Sequence, residues 1–212
     1  MKNVSISVKE MRDADARTIA AGTPGHVLML RAAQGIFDRV EALGPGWEGK
    51  KTLIVTGSGN NGGDGYALAT ILADKGYDVT LLRASEKLSE DGGRYYELCR
   101  KAGVPETGMD EAADGGFDLI VDCVLGTGFS GEPRGTAKDA IELINRLAEK
   151  DPRPYVVSAD INSGMNGDTG EAVLAVKSDL TVSIGYYKHG LFLGRAKELI
   201  GQLANADIGI EL

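Results

Sequence analysis

Thr52-Leu53-Ile54-Val55 runs straight into Thr56-Gly57-Ser58-Gly59-Asn60-Asn61-Gly62-Gly63-Asp64-Gly65, and then into Tyr66-Ala67-Leu68-Ala69-Thr70-Ile71-Leu72. A short unbroken apolar run reads as a strand buried on both faces. Ala67, Leu68, Ile71 and Leu72 fall on one face of a helix over Gly65–Lys75. Strand, glycine-rich turn and helix in that order make the first half of a β-α-β unit. The same rhythm returns at Val79–Leu82, Leu119–Val121, Tyr155–Ser158 and Leu180–Ile184, with another helical stretch over Thr136–Lys150. Strands alternating with helices imply parallel pairing with helices on both faces. The fold class is therefore α/β, a Rossmann-like three-layer αβα sandwich on a mostly parallel sheet. Two helices precede it. One opens at the capping box Ser7-Val8-Lys9-Glu10 and runs to about Ala21; the other starts at Thr23-Pro24, runs to about Leu43 and is stopped by Gly44-Pro45-Gly46.

The chain has 212 residues, 42% hydrophobic and 25% charged, which fits one globular domain over residues 1–212. A net charge of −8 argues against a general nucleic-acid binder, whose grip depends on a basic surface. No apolar run reaches the ~20 residues of a membrane span. Charged residues from Lys9 to Arg17 interrupt the start of the chain, so it does not read as a signal peptide. Cys99 and Cys123 stand far apart, which implies neither a disulfide framework nor a zinc site and makes a reducing, cytoplasmic setting the expectation.

In an open parallel sheet, ligands sit beyond the carboxyl ends of the strands. Three polar, glycine-rich segments fall there: Gly57 to Gly65; Asp122 followed by Gly126-Thr127-Gly128-Phe129-Ser130-Gly131; and Asp160-Ile161-Asn162-Ser163-Gly164. They help explain why the chain holds 30 glycines, a proportion well above average, and they suggest backbone shaped around a ligand. Gly57, Gly59 and Gly62 match the dinucleotide fingerprint formally. The second strand ends Leu81-Leu82-Arg83, however, without the acid that would hold a ribose. Asp64 reads either as a helix cap or as a ligand contact. Asp122 and Asp160 end buried-type strands, where a carboxylate is costly unless paired, hydrogen-bonded or bound to a cation. With Asn61 and Ser163 they offer hard oxygen ligands, and no His or Cys joins them, so a hard cation is expected. Lys188 reads as a phosphate contact or a solvated lysine, and Arg83 likewise. Arg12 and Arg17 read as a solvated helix face, Met29 as packing, and neither His26 nor His189 as catalytic.

These motifs, with Glu10-Met11-Arg12-Asp13-Ala14-Asp15 and the terminal Ala206-Asp207-Ile208-Gly209-Ile210, resemble those of the NAD(P)H-hydrate epimerases, the YjeF N-terminal domain, from about Val8 to Gly209. The resemblance implies an isomerase of nicotinamide-cofactor repair, which interconverts the R and S epimers of NADH and NADPH hydrated at ring carbon 6 and so feeds a separate dehydratase. It implies one potassium ion per subunit on residues matching Asn61, Asp122 and Ser163. It implies hydrate binding by Asn60, Asn61, Gly62, Gly63 and Asp64, by Gly126, Thr127, Gly128, Phe129, Ser130, Gly131 and Glu132, and by Asp160; it also implies a homodimer. Asp160 is expected to be the general acid/base, because the carbon-6 hydroxyl needs a proton shuttle and no ligand role is assigned to this carboxylate.

Two departures stand out. Asn162 replaces the proline of Asp-Ile-Pro-Ser-Gly, which leaves a less rigid turn, and Leu28-Met29 is followed by Leu30-Arg31-Ala32-Ala33 instead of an acid and an asparagine. Two other readings compete: a non-catalytic nucleotide-binding module of the same fold, and a nicotinamide-dependent oxidoreductase, which the missing ribose acid disfavours. The chain is expected to be a stand-alone unit or a piece of a fused enzyme.

Overall fold

The computed structural model describes residues 4–43 and 49–212; the Gly44-Pro45-Gly46 stop lies outside them. Along the chain come β1 (Ser5–Ile6), α1 (Val8–Ala20), α2 (Gly25–Glu41), β2 (Lys51–Thr56), α3 (Asn60–Asp74), β3 (Asp78–Arg83), α4 (Glu90–Lys101) and β4 (Glu106–Thr107). Then follow α5 (Met109–Asp114), β5 (Leu119–Cys123), α6 (Gly135–Leu147), β6 (Tyr155–Ala159), β7 (Leu180–Ile184), β8 (Tyr187–Lys188), a 3-10 turn at His189–Phe192, α7 (Ala196–Leu199) and β9 (Gln202–Ala206).

Seven strands form one sheet in the order β4-β3-β2-β5-β6-β7-β9, every neighbouring pair parallel. Strand order reverses between β2 and β5, which makes that gap the topological switch point. The apolar residues of each central strand divide between two cores. Ile54, Leu119, Val121 and Val157 pack with α2, α3 and α4, while Leu53, Val55, Ile120 and Val156 pack with α5 and α6. Helix α6 presents Ala140, Ile141, Ile144 and Leu147 along one stripe, all buried, and each large side chain so placed contributes about 1.5–3 kcal/mol.

Helix α1 starts at the expected capping box: the Ser7 hydroxyl accepts from the Glu10 amide at 3.2 Å and the Glu10 carboxylate accepts from the Ser7 amide at 2.8 Å. The sequence reading passed over α4, β4 and β9. Helix α4 begins properly, with Ser89 as its cap accepting from Gly92 at 3.2 Å, but Gly92 and Gly93 in the first turn hide the helical pattern. Gly92 serves packing, since it lies against Gly63, where a Cβ would meet Gly92 and the Met29 side chain as the helices cross.

One larger correction concerns the asparagine–glycine segment. Asn60–Asp64 do not form a loop ahead of a helix at Gly65. They are the opening turns of α3, which begins at Asn60 behind an N-cap at Gly59. A Cβ on Gly57 would overlap the Val124 carbonyl oxygen, and one on Gly62 would overlap that of Gly57. Much of the glycine in this segment thus lets helix, turn and neighbouring loop touch, and only part of it lies bare toward a ligand.

Candidate active site

A cavity of about 510 Å³ opens at the switch point, on the carboxyl edge of the sheet. Ser58, Gly59, Asn60, Asn61 and Asp64 line it from the β2–α3 side, Gly126–Phe129 from the segment after β5, and Asp160 from the end of β6. Gly62 and Gly63 are buried behind this wall, while Ser130, Gly131 and Glu132 are exposed and away from it.

Asp160 adopts φ 66°, the left-handed conformation that a non-glycine residue rarely takes and Asp tolerates better than most. The bend turns its carboxylate back over the sheet, where Oδ1 accepts from the Ile184 amide at 3.1 Å and from the Lys188 ammonium. Lys188 is 1% exposed, and it also donates to the Ile184 carbonyl at 2.7 Å and to Ser183 Oγ at 3.5 Å. Of the two readings of Lys188 the solvated one fails: its ammonium is engaged by the Asp160 carboxylate, the Ile184 carbonyl and Ser183 Oγ, while the residue itself borders the cavity. What buries it is β1, paired in parallel with β8 (Ser5 with Tyr187, Ile6 with Lys188). A two-residue strand carries no periodicity to detect.

Asp122 lies fully buried in β5, between Val55 and Ser158 in register. Its Oδ2 accepts from Ser158 Oγ and the Ser163 amide, both at 2.9 Å, and its Oδ1 accepts from Ser163 Oγ at 2.5 Å and the Val124 amide at 3.2 Å. Burial pushes this carboxyl above its usual range, and those hydrogen bonds pull the other way. Ser163 Oγ also accepts from the Leu125 amide at 2.8 Å, which ties the end of β6 to the segment after β5. Asn61, 7% exposed, is different: neither its amide nitrogen nor its oxygen has a partner. Gly126 closes over it, so closely that a Cβ there would stand 3.1 Å from the Asn61 Cβ.

Asn162 overturns the expectation of a less rigid turn. It is fully buried; its amide donates to Val176 O at 3.0 Å, Ser178 Oγ at 2.9 Å and Leu199 O at 3.0 Å, and its oxygen accepts from Thr181 Oγ1 at 2.8 Å. Where a proline would fix one dihedral, this side chain ties the turn to three segments: the stretch before β7, β7 itself and α7. Arg83 also departs from both readings offered for it. It lies beside the Tyr96 ring at 4.3 Å, donates to the Tyr66 and Tyr96 hydroxyls at 3.3 and 3.0 Å, and lies outside the cavity lining.

The remaining wall comes from helices whose site role the sequence reading missed. Arg12, Asp15 and Ile19 of α1, Leu28 and Met29 of α2, and Asp91 of α4 all face the cavity. Arg12 thus borders the cavity while remaining exposed. Burial and the neighbouring Asp91 push Asp15 upward.

The YjeF-related protein N-terminus family matches residues 25–190, which include every strand-end residue described above. The chain belongs to this family. The bifunctional NAD(P)H-hydrate repair enzyme of Archaeoglobus fulgidus is 37% identical over 206 residues, covering 97% of this chain and 41% of that relative. The NAD(P)H-hydrate epimerase of Lentilactobacillus buchneri is 34% identical, covering 97% of this chain and 94% of the relative; that of Limosilactobacillus reuteri is 36% identical over 98% and 96%. The chain therefore spans about two fifths of the bifunctional relative and nearly the whole of the family members named as epimerases. In fold it matches the crystal structure of yeast ynu0, with a TM-score of 0.76 at 20% identity over 95% of this chain and 87% of the yeast one.

Proposed function

We propose that the protein is an NAD(P)H-hydrate epimerase, an isomerase that interconverts the two epimers of hydrated NADH and NADPH. The observation that carries this reading is a cavity at the switch point whose lining includes the strand-end carboxyl Asp160 and the α3 carboxyl Asp64, in a chain that matches relatives named as epimerases along nearly their full length. The reacting carbon bears a hydroxyl and the ring nitrogen. Inverting it means breaking and remaking one of those bonds, with a proton moved at each stage. Asp160, set as a carboxylate against a buried ammonium, is placed to accept and return that proton. The amino end of α3 has no side-chain cap, so its amides remain free for an anion, and with Gly126–Phe129 they form the proposed pyrophosphate seat.

The donor set fits a potassium ion: Asn61 has an orphaned buried oxygen, Asp122 is a buried carboxylate in need of a counter-charge, and Ser163 adds a hydroxyl. All are hard oxygen ligands without imidazole or thiolate. Asn61, Asp122 and Ser163 would hold one ion per subunit, which would supply positive charge for a bound pyrophosphate and offset the buried Asp122 carboxylate. The reading extends to a homodimer in the cytoplasm, working with an NAD(P)H-hydrate dehydratase. The bifunctional name of the Archaeoglobus relative supports that coupling. Among the described residues, no helix is long and apolar enough to cross a membrane.

The test is chromatography of separated hydrate epimers after addition of the protein, with and without potassium. Accelerated interconversion supports the reading. Rates equal to the uncatalysed ones in both buffers overturn it in favour of a binding module.

A further inference from the structure

We propose that Asp64 is a second catalytic residue, the proton donor to the hydrate, acting across the cavity from Asp160 as acceptor. The inference rests on the epimerase reading and adds a residue to it.

The two carboxyls have opposite surroundings. Asp160 is engaged by Lys188 and the Ile184 amide. Asp64 lines the same cavity, is only 9% exposed, and has no hydrogen-bond or ion-pair partner among the described residues. It does not cap α3: the N-cap is Gly59, and no side-chain cap bond is present. A structural carboxylate of this burial would be paired or capped, because isolated buried charge is costly. Protonation removes that cost and leaves an O–H directed at whatever fills the cavity. The groups facing it are Asp15 from α1, Asp160 after β6, Lys188 from β8, Tyr95 from α4 and Cys123 from β5. Burial, reinforced by Asp160 and Asp15 and opposed by Lys188, pushes the Asp64 carboxyl well above the ordinary range. A buried carboxyl without a partner and one held by an ammonium and an amide offer an acid and a base on the same cavity.

The chemistry balances without any co-reactant. In ring opening, Asp160 takes the hydroxyl proton, the carbon 6–nitrogen bond breaks with its electron pair going to nitrogen, and the Asp64 proton joins that nitrogen. An aldehyde and an enamine N–H result. Rotation about the aldehyde's bond to the chain and reclosure on the opposite face return one proton to each carboxyl, and the carbon is inverted.

Asp64→Asn and Asp64→Glu are compared with the wild type in potassium buffer by kcat, KM and the pH dependence of kcat. The expected result is a kcat lowered about 10²–10⁴-fold in Asp64→Asn with little change in KM, loss of the fall in kcat on the alkaline side, and partial recovery in Asp64→Glu. An Asp64→Asn enzyme within about threefold of wild type, or one slowed but with the same alkaline fall, overturns the proposal. Infrared difference spectra of the wild type with labelled aspartate give a second measurement that does not depend on the variant folding. A protonated carboxyl band that disappears across the same alkaline range supports the assignment, and absence of the band overturns it. A wild type without epimerase activity overturns the underlying reading as well, so the two failures are distinguishable.

Discussion

At Asp64, stability and chemistry pull against each other. Its folded-state proton affinity lies above the value of 3.8 expected for an exposed aspartate. The stability that its proton confers is complete below that value and is lost as pH rises toward the higher folded one. Asp64→Asn, which is neutral at every pH, should therefore gain stability over wild type as pH rises above about 4, with the two converging at the acid end. Denaturant midpoints across that range check the sign. Asp122 and Asp160 were legible in the sequence as acids at the ends of apolar runs. Lys188 was not, because a lysine after two tyrosines looks solvated until β1 is known to cover it.

Elements carry the second kind of information. The turn after β6 is held by Asn162, whose side chain bonds to residues near β7 and α7 as well as to the segment between. Asn162→Ala removes four buried hydrogen bonds; the Thr181 hydroxyl keeps the Ile200 carbonyl and the Leu199 carbonyl keeps the Ser178 amide, but the Val176 carbonyl loses its side-chain donor and a cavity is left in their midst. A loss of at least about 2 kcal/mol is expected, read as a lower urea midpoint at constant slope. From sequence alone, this asparagine registers only as a missing proline. The glycines of α3 show the same limit: the fingerprint located the site, but contacts between Gly57, Gly62 and Val124 depend on which loops the sheet brings together. The strand–helix alternation held from β2 to β6 because each central strand is apolar on both faces, a pattern that depends on no partner; β6 then leads to β7 with no helix between them.

For the whole molecule, the carboxyl edge of the sheet was the place to expect a ligand, while the strand order that puts the switch point between β2 and β5 was not read from the sequence. The wall supplied by α1, α2 and α4 was not read either, since spacing marks a helix's apolar face but not the neighbour that face packs against. Binding to the native state alone raises stability by mass action, about 2.7 kcal/mol at a hundredfold excess over Kd. Potassium should accordingly raise the melting temperature where an equal concentration of sodium raises it less, and Asn61→Ala should abolish the difference. Calorimetry in the two chlorides checks this independently of turnover.

The pairing of Ser5 and Ile6 with Tyr187 and Lys188, backed by the Val8 amide bonded to Asp168 at 2.7 Å, has a consequence for biosynthesis. A ribosome releases residues 5 to 20 early, yet their docking site is not complete until residue 188 has emerged. Helix α1 must wait, with its apolar face uncovered, through most of translation. Part of the cavity wall is thus made from residues synthesised long before the strand they dock on, and a nascent chain halted before β8 cannot hold β1 in place.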